Sequence, residues 1–280
     1  MKKLWRFCQS WEGAIGSTIL IVVVIMASIA TIVRPGDPQA IVGPSLIPAF
    51  INGSWPLGTD RLGRDVLSNL LHGAQVTLLI AFMAAAATFS IGIIVGTVSG
   101  FMGGKIDEIL MRFAEAFQTI PSFILALAIV GVLGSSTFSI VIGIMVGSWA
   151  GLARVLRAEI LSIREREFVE ADRAVGMHPV KIAFYEILPA ALPAVLSMAS
   201  IIIANAILIE AALSFLGLGD PNHVSWGKMI AEGRTVLRSA PYLSLIPGIA
   251  IVITVFAVNL IGDGIIEALN ERQNLWRYDT

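Results

Sequence analysis

Long apolar runs are the feature that most constrains how this chain of 280 residues can fold. A helix needs about 20 mostly apolar residues to cross a bilayer, and six stretches approach that length. They lie at about 14–33, 76–100, 117–134, 138–155, 190–216 and 243–261. Only 14% of the residues are charged, against about 25% in an ordinary soluble domain. The sequence therefore predicts an all-α integral membrane protein with six transmembrane helices.

The placement of basic residues predicts the orientation of these spans. Lys2, Lys3 and Arg6 precede the first apolar run, as they would in a signal peptide. The apolar core of a signal is only about 7–15 residues long, so the longer run predicts an uncleaved first span. Most of the 19 Lys and Arg residues fall on the side of the N-terminus. Because basic loops stay in the cytoplasm, both termini are predicted to be cytoplasmic.

Glycines at four-residue spacing predict close helix contacts in two spans. Small residues let helices approach in lipid, where no hydrophobic drive brings them together. The spacing occurs at Gly92, Gly96 and Gly100, and again at Gly143, Gly147 and Gly151. We interpret both sets as packing within the chain, with a dimer interface as the alternative.

Polar residues inside apolar runs are costly in lipid and are therefore candidates for function. Asn205 lies deepest, and it either lines a path or bridges two helices. Glu210 and Asp263 lie near the predicted span ends, where water reaches them, so we expect structural roles there. The candidates for a translocation path are Asn205, Glu210, Asn259 and Asp263.

Several kinds of chemistry have no counterpart in the sequence. No G-x-x-x-x-G-K-[ST] loop is present, because Lys105 precedes Ile106 and Lys228 precedes Met229, so ATP hydrolysis by this chain is not expected. The single cysteine, Cys8, excludes an internal disulfide, and the three histidines are widely spaced. The net charge of −1 gives no sign of a nucleic-acid partner. We therefore predict no catalytic residue, no metal site and no cofactor in this chain.

The loop at about 156–189 carries the most local information. Its first half is rich in Glu, Arg, Ala and Leu, which favours a helix. Gly176 can supply the left-handed turn that ends a helix, and Pro179 is favoured at the first position of the next one. The pattern predicts a short surface helix, Phe168–Val175, and a second helix from Pro179. From the residues alone, a site that docks a partner protein and an ordinary solvated loop both remain open.

This loop resembles a known motif. Glu170-Ala171, Gly176 and then Leu188-Pro189 are similar to the "EAA" loop of permease subunits in binding-protein-dependent ABC importers. Asp172 stands where that motif usually has Ala, and Glu186 where it has an apolar residue. Four further segments resemble the dipeptide/oligopeptide/nickel permease family. They are P-L-G-T-D-R-L-G-R-D-V-L-S at 56–68, E-A-A-L-S-F-L-G-L-G at 210–219, S-W-G at 225–227 and N-L-I-G-D at 259–263.

The resemblance implies the type I ABC importer permease fold with a cytoplasmic coupling helix in the EAA loop, in the inner membrane of a bacterial or archaeal cell. It implies a C-type permease subunit that forms a pore with a second homologous permease. Two ATP-binding cassette subunits would hold ATP and Mg²⁺, and an extracytoplasmic solute-binding protein would deliver the solute. Peptides are the implied solutes; nickel or other metal chelates, glutathione and opine-like compounds are the alternatives. The implied coupling residues are Arg166, Phe168, Glu170, Ala171, Asp172, Arg173 and Gly176.

The same resemblance suggests a division of the chain. An N-terminal helix with an extracytoplasmic segment would occupy 1–72, the permease domain 73–267, and a cytoplasmic tail 268–280. The alternating charges Asp60, Arg61, Arg64 and Asp65 would form a clamp over the pore mouth or a contact for the binding protein; we favour the clamp, because such charges near a helix start usually satisfy local groups first.

Two other classes of membrane protein make different predictions. A carrier driven by an ion gradient would place charged residues along a path, often within inverted repeats. An intramembrane enzyme would bring a nucleophile and a base together. Neither pattern is evident in the sequence, so the importer subunit is the favoured interpretation.

Overall fold

A computed structural model of the chain describes residues 10–269. Within that range the structure is helical, with two isolated β-bridges in place of a sheet. The helices are α1 Trp11–Ser28, α2 Ala30–Val33, α3 Val66–Met102, α4 Gly104–Gln118, α5 Ser122–Leu133, α6 Thr137–Ile163, α7 Glu167–Ala174, α8 Pro179–Lys181, a π-helix Ile182–Ile187, α9 Leu188–Leu196, α10 Ala199–Phe215, α11 Trp226–Gly233, a 3₁₀ turn Arg234–Val236 and α12 Tyr242–Leu269.

Five helical stretches are long and apolar enough to cross a membrane, and α4 with α5 makes a sixth if that bent pair counts as one span. The five are α1, α3, α6, the run Pro179–Leu196 and the stretch Tyr242–Ala268 within α12. Helix α10 is apolar but shorter. The chain is therefore a multi-pass membrane protein, as its composition predicts.

The predicted third span, 117–134, is not one straight helix. Helices α4 and α5 meet at an angle of 85°, and the turn between them contains Pro121. Proline cannot donate a backbone hydrogen bond, and it disfavours helical geometry in the residue before it. Helix α5 has 12 residues and so measures about 18 Å, less than the ~30 Å of a bilayer's hydrocarbon core.

The predicted fifth span, 190–216, is also divided. Helix α9 ends at Leu196 and α10 begins at Ala199. The hydroxyl of Ser197 donates to the carbonyl oxygen of Ala194 at 2.6 Å, and such side-chain bonds compete with the regular backbone ladder. The break therefore has a local cause that an apolar run does not reveal.

Three other spans, α3, α6 and α12, are longer than predicted. Helix α3 begins at Val66 because Asp65 caps it, accepting a hydrogen bond from the backbone N–H of Leu67. Helix α6 begins after the cap Ser136 and continues to Ile163. The extensions of α3 and α6 are less apolar than the predicted cores, so hydropathy alone places these helix ends too far inward.

Most of the spaced glycines lie where helices cross closely. A Cβ at Gly96 would lie 2.7 Å from the backbone oxygen of Ala153, and similar contacts join α3 to α6 at Gly92 and Gly100. Gly143 and Gly147 lie against α5, where a Cβ would be 3.0 Å from Ala126 Cα and 2.9 Å from Ser122 O respectively. Gly151 differs, because a Cβ there would have no neighbour within 4 Å. The expectation that all six face another helix of this chain fails at that position.

Candidate functional site

The EAA segment, residues 164–187, folds into a short helix held by one buried side chain. Helix α7 begins at Glu167 and ends at Ala174, one residue earlier at each end than predicted. Val169 is fully buried, in an apolar cluster that includes Ile160 and Ile182. Since α7 contributes one buried residue in eight, this valine anchors the helix, which packs against the π-helix Ile182–Ile187.

The predicted coupling residues largely surround that anchor on the open side of α7. Six of them are exposed and Asp172 is partly exposed; the exposed residues are Arg166, Phe168, Glu170, Ala171, Arg173 and Gly176. Acidic residues in the first turn and Arg173 in the last turn both complement the helix dipole. The result is a charged, accessible helix that is anchored to the rest of the chain by the buried Val169.

Gly176 ends α7 in a geometry that other residues rarely adopt. Its φ is +82°, and its N–H donates to the carbonyl of Arg173 while the N–H of Met177 donates to that of Asp172. These two bonds form a Schellman motif. A Cβ at this position would have no neighbour within 4 Å, so the requirement for glycine here is conformational and not steric.

Sequence reasoning missed three apolar residues beside α7. Val175, Val180 and Tyr185 are 87%, 58% and 72% exposed. Apolar side chains in a loop rich in Glu and Arg were the available signal, because an ordinary solvated loop does not require them. Together with Phe168 they give the EAA segment apolar surface beside its charges, a composition suited to a protein partner.

The π-helix explains one departure from the EAA motif. Ile182–Ile187 is wound as a π-helix, which adds a residue relative to an α-helical turn. Glu186 is exposed, whereas the adjacent Ile187 is fully buried in the cluster that holds Val169. Ile187 therefore supplies the apolar contact expected of position 186.

The charges at 60–65 are engaged mainly within the chain. The carboxylate of Asp60 accepts hydrogen bonds from the backbone N–H groups of Leu62 and Arg64, at 2.7 and 2.9 Å. Arg64 reaches Glu232 of α11 at 3.5 Å. These contacts tie the 34–65 segment to α11.

Asp65, Arg61 and Tyr242 extend this attachment. Asp65 caps α3 and also lies 3.3 Å from Arg34, just after α2. Arg61 is more exposed and makes a 3.4 Å contact to the hydroxyl of Thr235. The hydroxyl of Tyr242, at the start of α12, lies 2.9 Å from the carbonyl oxygens of both Ile47 and Thr59. The 34–65 segment is thus attached to three places: the start of α3, the C-terminal end of α11 and the start of α12.

The four path candidates separate into two groups. Asn205, Asn259 and Asp263 are exposed on α10 and α12. Glu210, in contrast, has no exposed surface, which corrects the expectation that water reaches it. Its Oε1 accepts a 2.7 Å hydrogen bond from the hydroxyl of Ser214.

A hydroxyl network explains how Glu210 is accommodated. Ser225, the cap of α11, donates to the oxygen of Ser214 at 3.3 Å, and the hydroxyl of Thr77 on α3 accepts from the backbone N–H of Trp226 at 3.2 Å. Glu210 therefore joins α10 to the start of α11 and does not belong to the open surface that carries the other three residues.

Within residues 10–269, no cluster of three or more His, Cys, Asp or Glu side chains could hold a metal ion. Residues 1–9 and 270–280, which include Cys8 and the predicted tail from 270 onward, lie outside the described range.

Comparison with known proteins identifies the family. Residues 92–274 match the family described as "Binding-protein-dependent transport system inner membrane component". The fold is that of a chain in inward-facing structures of the MetNI methionine ABC transporter, with a TM-score of 0.59 and 23% identity over 72% of this chain and 96% of that one.

Curated relatives match most of the sequence. The di/tripeptide transport system permease protein DppC of Pseudomonas aeruginosa is 34% identical, covering 97% of this chain and 92% of the relative. The nickel transport system permease protein NikC of Escherichia coli is 36% identical, with 90% and 92% covered. The oligopeptide transport system permease protein OppC of Bacillus subtilis is 32% identical, with 95% and 88% covered. The chain therefore belongs to the inner-membrane permease family of binding-protein-dependent ABC importers.

Proposed function

We propose that the chain forms a translocation pore for peptides together with a second homologous permease. In this proposal it has no ATPase site of its own. Two ATP-binding cassette subunits hold ATP and Mg²⁺, and an extracytoplasmic solute-binding protein delivers di- or oligopeptides. The names of two of the relatives, for di/tripeptides and for oligopeptides, support this solute class.

The observation that carries the proposal is the construction of α7. A helix that transmits force must be both accessible to its partner and fixed to its own subunit. Val169 supplies the fixed seat, and the exposed charges and the exposed Val175 supply the contact surface. A solvated loop without a partner has no need of this combination.

The same proposal fixes the orientation. The EAA segment and both termini are cytoplasmic, and the 34–65 segment lies outside as a clamp at the pore mouth. The proposal keeps the division at 1–72, 73–267 and 268–280 that the resemblance suggests. Asn205, Asn259 and Asp263 line the path, because polar side chains at membrane depth face a cavity or another subunit in preference to lipid.

Nickel chelates are the second candidate solute, because the chain is also similar to a nickel permease. Glutathione and opine-like compounds fit the same architecture. Much of the choice among solutes lies with the binding protein, so the chemical identity of that protein's ligand, measured by mass spectrometry after gentle denaturation, decides between peptide and metal.

Crosslinking and uptake together test the proposal. In a background with Cys8 replaced by Ser, a cysteine at Val175 should crosslink to an ATP-binding subunit, whereas a cysteine at the equally exposed Phe50 (85%) should not. The co-purified complex in liposomes, supplied with the binding protein, should take up its ligand only with ATP. A chain that purifies alone and transports without ATP would instead identify an autonomous ion-coupled carrier.

A further inference from the structure

A charged pair joins two helices beside the EAA segment. Arg157 of α6 donates from Nε and Nη2 to the two carboxylate oxygens of Asp107 on α4, both at 2.5 Å. Charge-assisted hydrogen bonds are stronger than neutral ones, and a parallel pair of them also fixes the relative orientation of the two side chains. The Asp107 side chain is 14% exposed and that of Arg157 is 30% exposed, so water screens the pair only in part.

A third helix, α3, also contacts Asp107. Ser99, in the last turns of α3, donates a hydrogen bond to the same Asp107 carboxylate. Arg164, directly after α6, donates from Nη1 to the carbonyl oxygen of Gly100 at 3.1 Å. The end of α6 is therefore fastened to α3 and α4, on both sides of the turn that separates them.

That turn contains two glycines with positive φ. Gly103 and Gly104 have φ values of +64° and +56°, a region that L side chains rarely adopt. These glycines separate α3 from α4, and the Asp107–Arg157 pair holds the first turn of α4 to α6. A shift of α6 is consequently carried to α4 through the pair, because the glycine turn itself can change its dihedral angles.

The pair links α6, which leads into the EAA segment, to α4, the first half of the broken span. Helix α6 ends at Ile163, and α7 begins four residues later at Glu167. At its other end α4 bends by 85° into α5. A displacement of α7 would reach α6 through the connection 164–166 and through α9, which follows the π-helix and packs on α6. The pair would then pass it to α4, and so to the direction of α5.

We propose that Asp107 and Arg157 are positioning residues that transmit the movement of the EAA segment to the bent pair α4–α5. This inference rests on the proposed function, since it needs a motor that moves α7. It assigns the pair no contact with solute or nucleotide. It predicts that losing the pair lowers the amount of solute transported per ATP hydrolysed, without preventing assembly.

The test uses the complete complex in liposomes with its ATP-binding subunits and its binding protein. Asp107→Arg and Arg157→Asp are compared with the double exchange. Each single reversal should lower the ratio of solute transported to ATP hydrolysed by about 2- to 30-fold, the usual range for residues that carry coupling. The exchange should recover a large part of the ratio, because it restores opposite charges.

The chain supplies a matched control on the same helix. Glu108 and Arg112 form a 3.0 Å ion pair, but their side chains are 60% and 77% exposed and both belong to α4. Glu108→Arg should leave the ratio unchanged. The ratio is measured per assembled complex, so a purely structural defect reduces the yield of complex and leaves the ratio intact.

Two results would overturn the inference: single reversals with an unaltered ratio, or a lowered ratio that the exchange does not improve. If a reversal prevents assembly, Asp107→Asn replaces it in the same measurement, and an unaltered ratio there overturns the inference equally. The complex without substitutions distinguishes a failure of this inference from a failure of the proposed function. If that complex shows no ATP-dependent uptake, the proposed function itself is contradicted.

Discussion

Asp220 binds the first residue of α6 from 83 positions further along the chain: its Oδ2 accepts hydrogen bonds from both the backbone N–H and the hydroxyl of Thr137, at 2.9 and 2.8 Å. The other oxygen accepts from the backbone N–H of Asn222 at 3.0 Å. Nearby, the ammonium group of Lys228 contacts the carbonyl oxygens of Pro221 and His223. The loop between α10 and α11 is thereby fixed to the first residue of α6.

Replacing Asp220 with Ala should destabilise the protein. The change removes three hydrogen bonds to a charged group, and a single bond of this kind contributes about 1.5–3 kcal/mol. We expect a lower melting temperature of the purified protein, read by the fluorescence of its tryptophans. Asp37→Ala is the control, because Asp37 is exposed and accepts one local hydrogen bond, from the N–H of Gln39; equal losses in the two variants would contradict this role.

The contribution of Asp220 should depend on pH. Burial alone would raise the pKa of this carboxyl, but the hydrogen bonds from Thr137 and Asn222 outweigh it and lower the pKa. A lowered pKa in the folded state stabilises the protein above the unfolded-state value of about 3.9 and loses that effect as the pH falls through the folded value. The difference in melting temperature between the protein and Asp220→Ala should therefore be constant from about pH 5 to 7 and shrink below about pH 4. A difference that grows on acidification would contradict the assignment.

Substitutions at Val169 and Val175 should have different effects, the first on the stability of α7 and the second on its binding to an ATP-binding subunit. Val169 is fully buried and Val175 is 87% exposed. Val169→Ala should lower stability by about 1–3 kcal/mol, since burying a valine side chain is worth about 1.5–3 kcal/mol. Val175→Asp should leave the melting temperature unchanged and reduce the recovery of ATP-binding subunits in a pull-down. If both variants lose stability, or neither affects the pull-down, the two roles are not separate.

Gly176 should tolerate only residues that accept a left-handed conformation. Its φ of +82° and its open surroundings mean that backbone strain, about 1–2 kcal/mol for an L residue, sets the cost. We expect Gly176→Asn to be milder than Gly176→Ala, because asparagine visits this region more readily. ATP-dependent uptake by the reconstituted complex measures the effect. Gly53→Ala is the control, since Gly53 has open surroundings and no positive φ; an order of Ala milder than Asn would refute the conformational argument.

The sequence predicts much of this structure, and the exceptions have physical causes. Apolar runs predict the membrane helices because the length of a span is set by the bilayer. They do not predict the 85° bend at Pro121, because hydropathy measures composition and not direction. The prolines at 121 and 193 were visible, but a proline in a span can either kink or be tolerated.

At the site, the sequence predicts the features that depend on one residue's own backbone. It does not predict the contacts between residues that are far apart in the sequence. Gly176 and Pro179 predict the end of α7 and the start of α8 because both act through their own backbone. The burial of Glu210 depends on Ser225 and Thr77, which meet only after α3, α10 and α11 have packed. The same holds for Asp107 and Arg157, whose separation of 50 positions no local pattern predicts.

Asp263 and Glu210 should respond differently to the loss of a carboxylate. Asp263 is exposed on α12, so Asp263→Asn should leave folding unchanged and, if this surface lines the path, alter the rate of solute uptake by the complex. Glu210 is fully buried and accepts the hydroxyl of Ser214, so Glu210→Ala should lower the melting temperature, because the polar groups around it lose their partner. Measuring melting temperature and uptake on both variants separates a path residue from a packing residue. Unchanged uptake in both Asp263→Asn and Asn259→Leu would remove this surface from the path, and full stability of Glu210→Ala would contradict the hydroxyl network as the link between α10 and α11.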